Sequence, residues 1–247
     1  VVLPEILGWP YLGKAFDVSL HVGTLLALLA HFRHELLTLW MAAQRLVFTA
    51  GKAQDPEARL VKLLLIGSIP AAVAGFFLDG LVESHLQGLL PVALLSIAWS
   101  VALGWADSGD GSKRTGCVGS LTPRLAFLIG LAQATALLPG TSRSGVTITM
   151  ALLLGLTRLE AARFSLLLSI PVVAGAALFK GWDCLGSLAS AETARAVMIG
   201  IGVSAFAGSL CLRRFLAHLE RGDFKPFVIY RIMFGFLLLA WLALRAC

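Results

Sequence analysis

Between Gln133 and Thr149 the sequence runs Gln-Ala-Thr-Ala-Leu-Leu-Pro-Gly-Thr-Ser-Arg-Ser-Gly-Val-Thr-Ile-Thr. Pro139 cannot continue a helical hydrogen-bond ladder. Gly140 and Gly145 permit a tight turn and a close approach of backbone to a ligand. Thr141, Ser142, Ser144 and Thr147 supply hydroxyls, and the first N–H groups of the helix that follows have no intrahelical acceptor. Arg143 adds a planar cationic fork matched to phosphate oxygens. A helix N-terminus, hydroxyls and one guanidinium together make an oxyanion site. Arg143, Ser142 and Ser144, with Gly140, Thr141, Gly145 and Thr147, are therefore the candidate residues of that oxyanion site. Gln133 lies about two helical turns before Pro139, where it can face the same site.

Two plainer explanations compete. A lone arginine between apolar runs can snorkel to an interface while serine and threonine cap a helix. The flanking glycines and four hydroxyls within seven residues weigh against that. The spacing from Gly140 to Gly145 is that of a nucleotide P-loop, but Val146 stands where its lysine is required and no strand precedes it. An acid-phosphatase arrangement needs a downstream His and Asp, and Thr149 and Leu153 stand near those places.

The elements that must position this run are membrane-spanning. Of the 247 residues 58% are apolar and 14% charged, against about 45–50% and 25% in soluble domains, and the mean hydropathy is +0.86. That composition excludes a disordered chain, a nucleic-acid module and a disulfide scaffold. Cys117, Cys184, Cys211 and Cys247 form no metal or redox pattern. Apolar runs lie at about residues 16–32, 60–78, 86–106, 122–138, 144–157, 163–181, 195–213 and 226–245, none alternating with the period of a barrel strand. The expected fold is thus an all-α polytopic membrane protein of roughly eight helical segments. The stretch from His34 to Thr49 reads as an interfacial or extended helix.

The net charge of +6 reports orientation. If each run crosses once, the links 33–62, 107–124, 158–163 and 213–225 share one side and carry fourteen of the twenty Lys and Arg. The positive-inside rule makes that side cytoplasmic and sends the Arg143 turn toward the extracytoplasmic side. The two runs meeting at that turn are short, and broken helices are tolerated at membrane depth only where they face protein or a wet cavity; such half-helices commonly build substrate sites. His21 and Arg231 fall inside apolar segments, where an ionisable group is a site candidate by default. Asp17 is placed to cap the first helix, and Glu160 to pair with its neighbouring arginines. The segment Ala15–His21 echoes Arg163–Ser169 in the opposite orientation, which indicates an inverted repeat within a single membrane domain over 1–247, the first copy about 1–106 and the second about 122–247.

The run Pro139-Gly140-Thr141-Ser142-Arg143-Ser144-Gly145-Val146-Thr147 closely resembles the signature of the bacterial undecaprenyl-diphosphate phosphatase family, known also for bacitracin resistance. Phe16-Asp17-Val18 through Thr24, Leu156-Thr157-Arg158 through Ser165, Ser169-Ile170-Pro171 and Tyr230-Arg231 agree in order, so the resemblance covers essentially the whole chain. It implies a multi-pass protein of the bacterial inner (plasma) membrane that cleaves the terminal phosphate from a C55 isoprenyl diphosphate, recycling the carrier lipid for peptidoglycan synthesis. The implied partners are that lipid and the bilayer, with a second copy of the chain as a candidate. The family also carries a Glu-x-x-x-Glu pair and a Ser-Ser-x-x-His stretch. Neither occurs here; both are expected ahead of Val1, together with the ligands of a Mg²⁺ or Ca²⁺ ion, and no metal ligands are expected within the chain. On that expectation the chain as written lacks activity. A transporter or flippase of lipid phosphates with the same architecture is the rival reading, and a non-catalytic scaffold a third.

Overall fold

In a computed structural model of the chain, residues 5–6, 8, 12–53, 55–85, 88–109, 114–183 and 190–246 are described. They form nine α-helices: α1 (Lys14–His31), α2 (Arg33–Phe48), α3 (Pro56–His85), α4 (Leu89–Ser108), α5 (Pro123–Ala134), α6 (Arg143–Leu153), α7 (Arg158–Asp183), α8 (Ala191–Leu219) and α9 (Lys225–Ala246). Each of the eight apolar runs coincides with a helix over most of its described residues, residues 86–87 lying outside them, and no strand occurs among the described residues. Five helices are long and apolar enough to cross a bilayer, or six spans if α1 and α2, bent by 85° at their junction, count as one. The protein is an all-α polytopic membrane protein. The stretch read as an interfacial or extended helix is α2. Asp17 does not cap α1, because the helix begins earlier: Gly13 is its N-cap, without a side-chain bond, and Asp17 sits in the first turn, where its charge still faces the positive end of the helix dipole.

The chain divides into two compact units, Val1–Leu36 with Ile170–Phe215, and Leu37–Ser169 with Leu216–Cys247. In the first, α1 packs on α8 through small residues. A Cβ at Gly23 would lie 2.5 Å from the Ile201 carbonyl oxygen, and one at Gly200 would lie 2.6 Å from Ser19 Oγ. Ser204 Oγ then donates to the Leu20 carbonyl at 2.6 Å. Without a hydrophobic drive between helices in lipid, such close backbone approach is what holds them together.

In the second unit α3 packs on α5, α5 on α6, α6 on α4 and α4 on α9. Ile129, Val146, Leu152, Leu156, Phe164 and Leu167 are buried among them. Outward positions on the spans are apolar as well: Phe206 and Leu237 are 75% and 66% exposed. Such surface would be a liability in water, but it matches hydrocarbon.

Candidate active site

The Pro139–Ser142 turn is the tip of a hairpin that enters the fold and comes back. Thr122 caps α5 by accepting from the Leu125 N–H, with Pro123 in the first turn. After twelve residues α5 tightens into a 3-10 turn at Thr135–Leu137. Ser142 caps α6, accepting the Gly145 N–H at 3.2 Å. At about 1.5 Å per residue both helices run roughly 17–18 Å, well short of the ~30 Å a bilayer core demands. The links beyond their outer ends meet: the Gly116 N–H donates to the Gly155 carbonyl at 3.2 Å and the Thr157 N–H to the Gly116 carbonyl at 3.0 Å. The pair is therefore a re-entrant loop within the second unit.

Gly140 seats the tip. Its φ is +86°, and an added Cβ would lie 2.4 Å from the Val92 carbonyl oxygen, so this position accepts only glycine without strain. Val92 is the fourth residue of α4, and Asp107 is the last but one. Fifteen residues of helix place the tip about 22 Å from the Asp107 level.

Four buried polar side-chain atoms on this hairpin have no hydrogen-bond partner: both amide atoms of Gln133, Thr141 Oγ1 and Arg143 Nη1. The described residues hold one other such atom, on Arg114. Orphaned buried groups cost about 1–3 kcal/mol each, and four on one hairpin mark a place built for a polar ligand. Gln133 is only 2% exposed, yet its amide lies on the same hairpin as Thr141 and the guanidinium of Arg143. The Arg143 and Ser144 N–H groups open α6, with no carbonyl one turn earlier in the helix to receive them.

Thr147 is turned the other way. It is fully buried, donates to the Arg143 carbonyl at 2.9 Å, and shares a short hydrogen bond with Ser165 Oγ of α7. Ser165 in turn bonds the Ser144 carbonyl at 3.4 Å. These two hydroxyls brace the first turn of α6 from beneath, and Thr149 does the same for the Gly145 carbonyl at 2.7 Å. Sequence spacing did not single out Ser165. Its signal is a pair of hydroxyls, Ser165 and Ser169, one turn apart on a buried face of α7.

Arg231 supplies the second support. Its Nη2 donates to the Gly140 carbonyl at 2.8 Å, while Nε donates to Ser100 Oγ at 3.1 Å. Ser96 and Ser100, one turn apart on α4, complete the cradle, with Ser96 Oγ 3.4 Å from Arg231 Nη2. Arg231 thus acts through the tip and is a positioning residue. The partner that its place in an apolar segment demands is a backbone carbonyl. His21, the remaining expected substrate contact, belongs to the first unit, where it is exposed on α1.

The other end of the second unit is closed by charge. Asp107, 4% exposed, accepts from Arg158 Nε at 2.6 Å and from the Phe224 N–H at 2.9 Å. Glu160 pairs with Arg163 at 3.6 Å and also accepts the Val118 N–H at 2.8 Å. Arg59 donates to the Leu121 carbonyl at 2.9 Å. The links after α2, α4, α6 and α8 thereby converge on one end, as the charge sorting required. Lys225 donates to Asp223 there and holds its carboxyl below the usual range.

The donors around the tip suit an anion. A guanidinium, hydroxyls and N–H groups offer a cation nothing, and no group of three His, Cys, Asp or Glu occurs among the described residues. These residues do not fit a divalent ion.

A family model for the bacitracin resistance protein BacA matches residues 1–237. The undecaprenyl-diphosphatase of Hahella chejuensis is 45% identical over 246 residues, covering 98% of this chain and 89% of that protein. That of Chromohalobacter salexigens is 44% identical over 247 residues, covering 98% and 90%. That of Teredinibacter turnerae is 41% identical over 242 residues, covering 96% and 89%.

Proposed function

The chain belongs to the bacitracin resistance protein BacA family, and on that premise we propose that it hydrolyses undecaprenyl diphosphate at the Arg143 hairpin. Water oxygen bonds to the terminal phosphorus, the bridging P–O bond breaks, and undecaprenyl phosphate and inorganic phosphate leave. The observation that carries this reading is the set of four orphaned polar atoms on Gln133, Thr141 and Arg143.

Phosphoryl transfer asks the protein mainly for positioning and for charge placed where the transition state develops it. Arg143 and the N–H groups of α6 are placed to take the terminal phosphate oxygens. Thr141 and Gln133 donate to oxygens that would otherwise lose their water. Ser142 keeps its own proton to donate, since its oxygen accepts the Gly145 N–H as a cap. Ser144 offers a further hydroxyl. Thr147, Ser165 and Arg231 hold the tip rigid, so the donors need no reorganisation as charge builds. The lipid tail lies along apolar helix surface.

Phosphate release from undecaprenyl diphosphate by the full-length protein tests the assignment. Arg143→Ala should lower release by about 100-fold or more while leaving the melting temperature within a few degrees; unchanged release would sink it. On this reading the tip faces the extracytoplasmic side, which is supported by the fourteen of twenty basic residues in the opposite links. Thr141→Cys should react with an impermeant thiol reagent added outside intact cells, and labelling only after lysis would reverse the orientation.

A further inference from the structure

We propose a second phosphate-group site at the arginine-rich end of the second unit, occupied by the head group of an anionic bilayer lipid. It goes beyond the hydrolytic site, from which it is separated by most of the length of α4. A cavity of about 270 Å³ lies between the start of α7 and the loop after α8, walled by Arg114, Thr157, Arg158, Glu220 and Arg221. These residues flank the ends of α4, α7, α8 and α9, four of the helices apolar enough to span the bilayer. The cavity therefore sits at the level where lipid phosphates lie.

Its donors are partly spent and partly free. Arg158 Nε is committed to Asp107, and Asp107 has its other oxygen on the Phe224 N–H. Arg114 donates through Nη2 to the Ala106 carbonyl. Its Nη1 is buried, 3.7 Å from Asp107 Oδ1, and makes no hydrogen bond. Thr157 Oγ1 accepts the Glu160 N–H at 3.4 Å and retains its proton to donate. Arg221 is exposed, and its guanidinium has no partner among the described residues. Thr157 and Arg221 thus keep donors at one small space, with the Arg114 guanidinium in its wall.

Charge selects the ligand. Three arginines against Asp107 and Glu220 leave one positive charge, which balances a phosphodiester better than a doubly charged free phosphate. A second cavity of about 480 Å³ shares Arg158 and is walled by Gly104 of α4 and by Val228 and Ile229 of α9. It offers an apolar wall to the rest of the same lipid. Basic pockets between spanning helices bind anionic head groups in this way.

The test is native mass spectrometry of the protein in detergent, titrated with phosphatidylglycerol, phosphatidylcholine or inorganic phosphate. Wild type should retain phosphatidylglycerol at least fivefold more than phosphatidylcholine. Arg221→Gln should lower phosphatidylglycerol occupancy at least fivefold and Arg221→Lys less than twofold. Both variants should melt and hydrolyse undecaprenyl diphosphate as wild type does, so failure here is separable from failure of the catalytic assignment. Equal retention of both lipids, or unchanged occupancy in Arg221→Gln, overturns the site. Displacement of phosphatidylglycerol by millimolar inorganic phosphate overturns the lipid as its occupant.

Discussion

The second unit carries a cationic cluster toward each end of α4, and the two are finished differently. At the Asp107 end the carboxylate has both oxygens bonded, the arginine beside it is spent on that carboxylate, and backbone groups of α4 and of the link after α8 close around them. At the Gly140 end the braces beneath the tip are complete, but the groups on the hairpin are not: Gln133, Thr141 and Arg143 all keep buried atoms without partners. Arginine is common to both, so residue type does not distinguish them. What does is whether the protein supplies the counter-charge. Asp107 supplies it at one end, and at the other nothing among the described residues does. The Arg158–Asp107 pair completes itself and holds the fold, whereas the hairpin groups stop short and hold a ligand.

The strongest way to break that comparison is to cut each cluster at its centre. Asp107→Asn leaves Arg158 and Arg114 without their charge and should cost about 3–5 kcal/mol of stability, read as a large drop in melting temperature in detergent. The molecules that remain folded should still release phosphate at a near-normal rate. Arg143→Ala should do the reverse, abolishing most turnover with little change in melting. If Arg143→Ala melts as low as Asp107→Asn, the hairpin arginine is a structural ion and the contrast fails.

Gly140→Ala should fall between the two. The left-handed backbone costs a β-carbon about 1–3 kcal/mol, and the Val92 backbone stands in its way. The tip must then shift off both Val92 and the Arg231 guanidinium. We expect about 2 kcal/mol of lost stability with a roughly tenfold or greater fall in kcat, since the donors move by a fraction of an ångström. Equal kinetics with the loss of stability alone would show that the tip does not need Gly140 to aim Arg143.

The hairpin was legible in the sequence because everything that makes it is local. A helix-ending proline, a glycine, a capping serine and an arginine occupy five consecutive residues, from Pro139 to Arg143, and each acts on its neighbours. The apolar runs were legible because every crossing needs its own stretch of apolar residues. Arg231 announced that it needed a partner and did not name one, since the partner is the Gly140 carbonyl, and a backbone oxygen has no residue type. Ser96 and Ser100 carried a usable signal, two hydroxyls one turn apart in an apolar run, that points to a polar seam on α4. Asp107 was hidden at the edge of a link rich in Gly, Ser and Asp, where an acidic residue looks like ordinary solvated loop. Only the return of Arg158 and Phe224 to the same end turns it into a buried hub.

Gln133 gives the smallest effect and the sharpest distinction. Both of its amide atoms are buried and unbonded, so the native fold already bears their desolvation. Leucine has nearly the same size and no polar atoms. Gln133→Leu should therefore raise stability by about 1 kcal/mol, seen as a modest rise in melting temperature, while phosphate release falls roughly tenfold, mainly through KM. A structural glutamine would show the opposite sign: loss of its hydrogen bonds would lower the melting temperature and leave KM alone. The two signs cannot both occur, so one variant decides whether the incompleteness of this end serves the ligand or only looks as though it does.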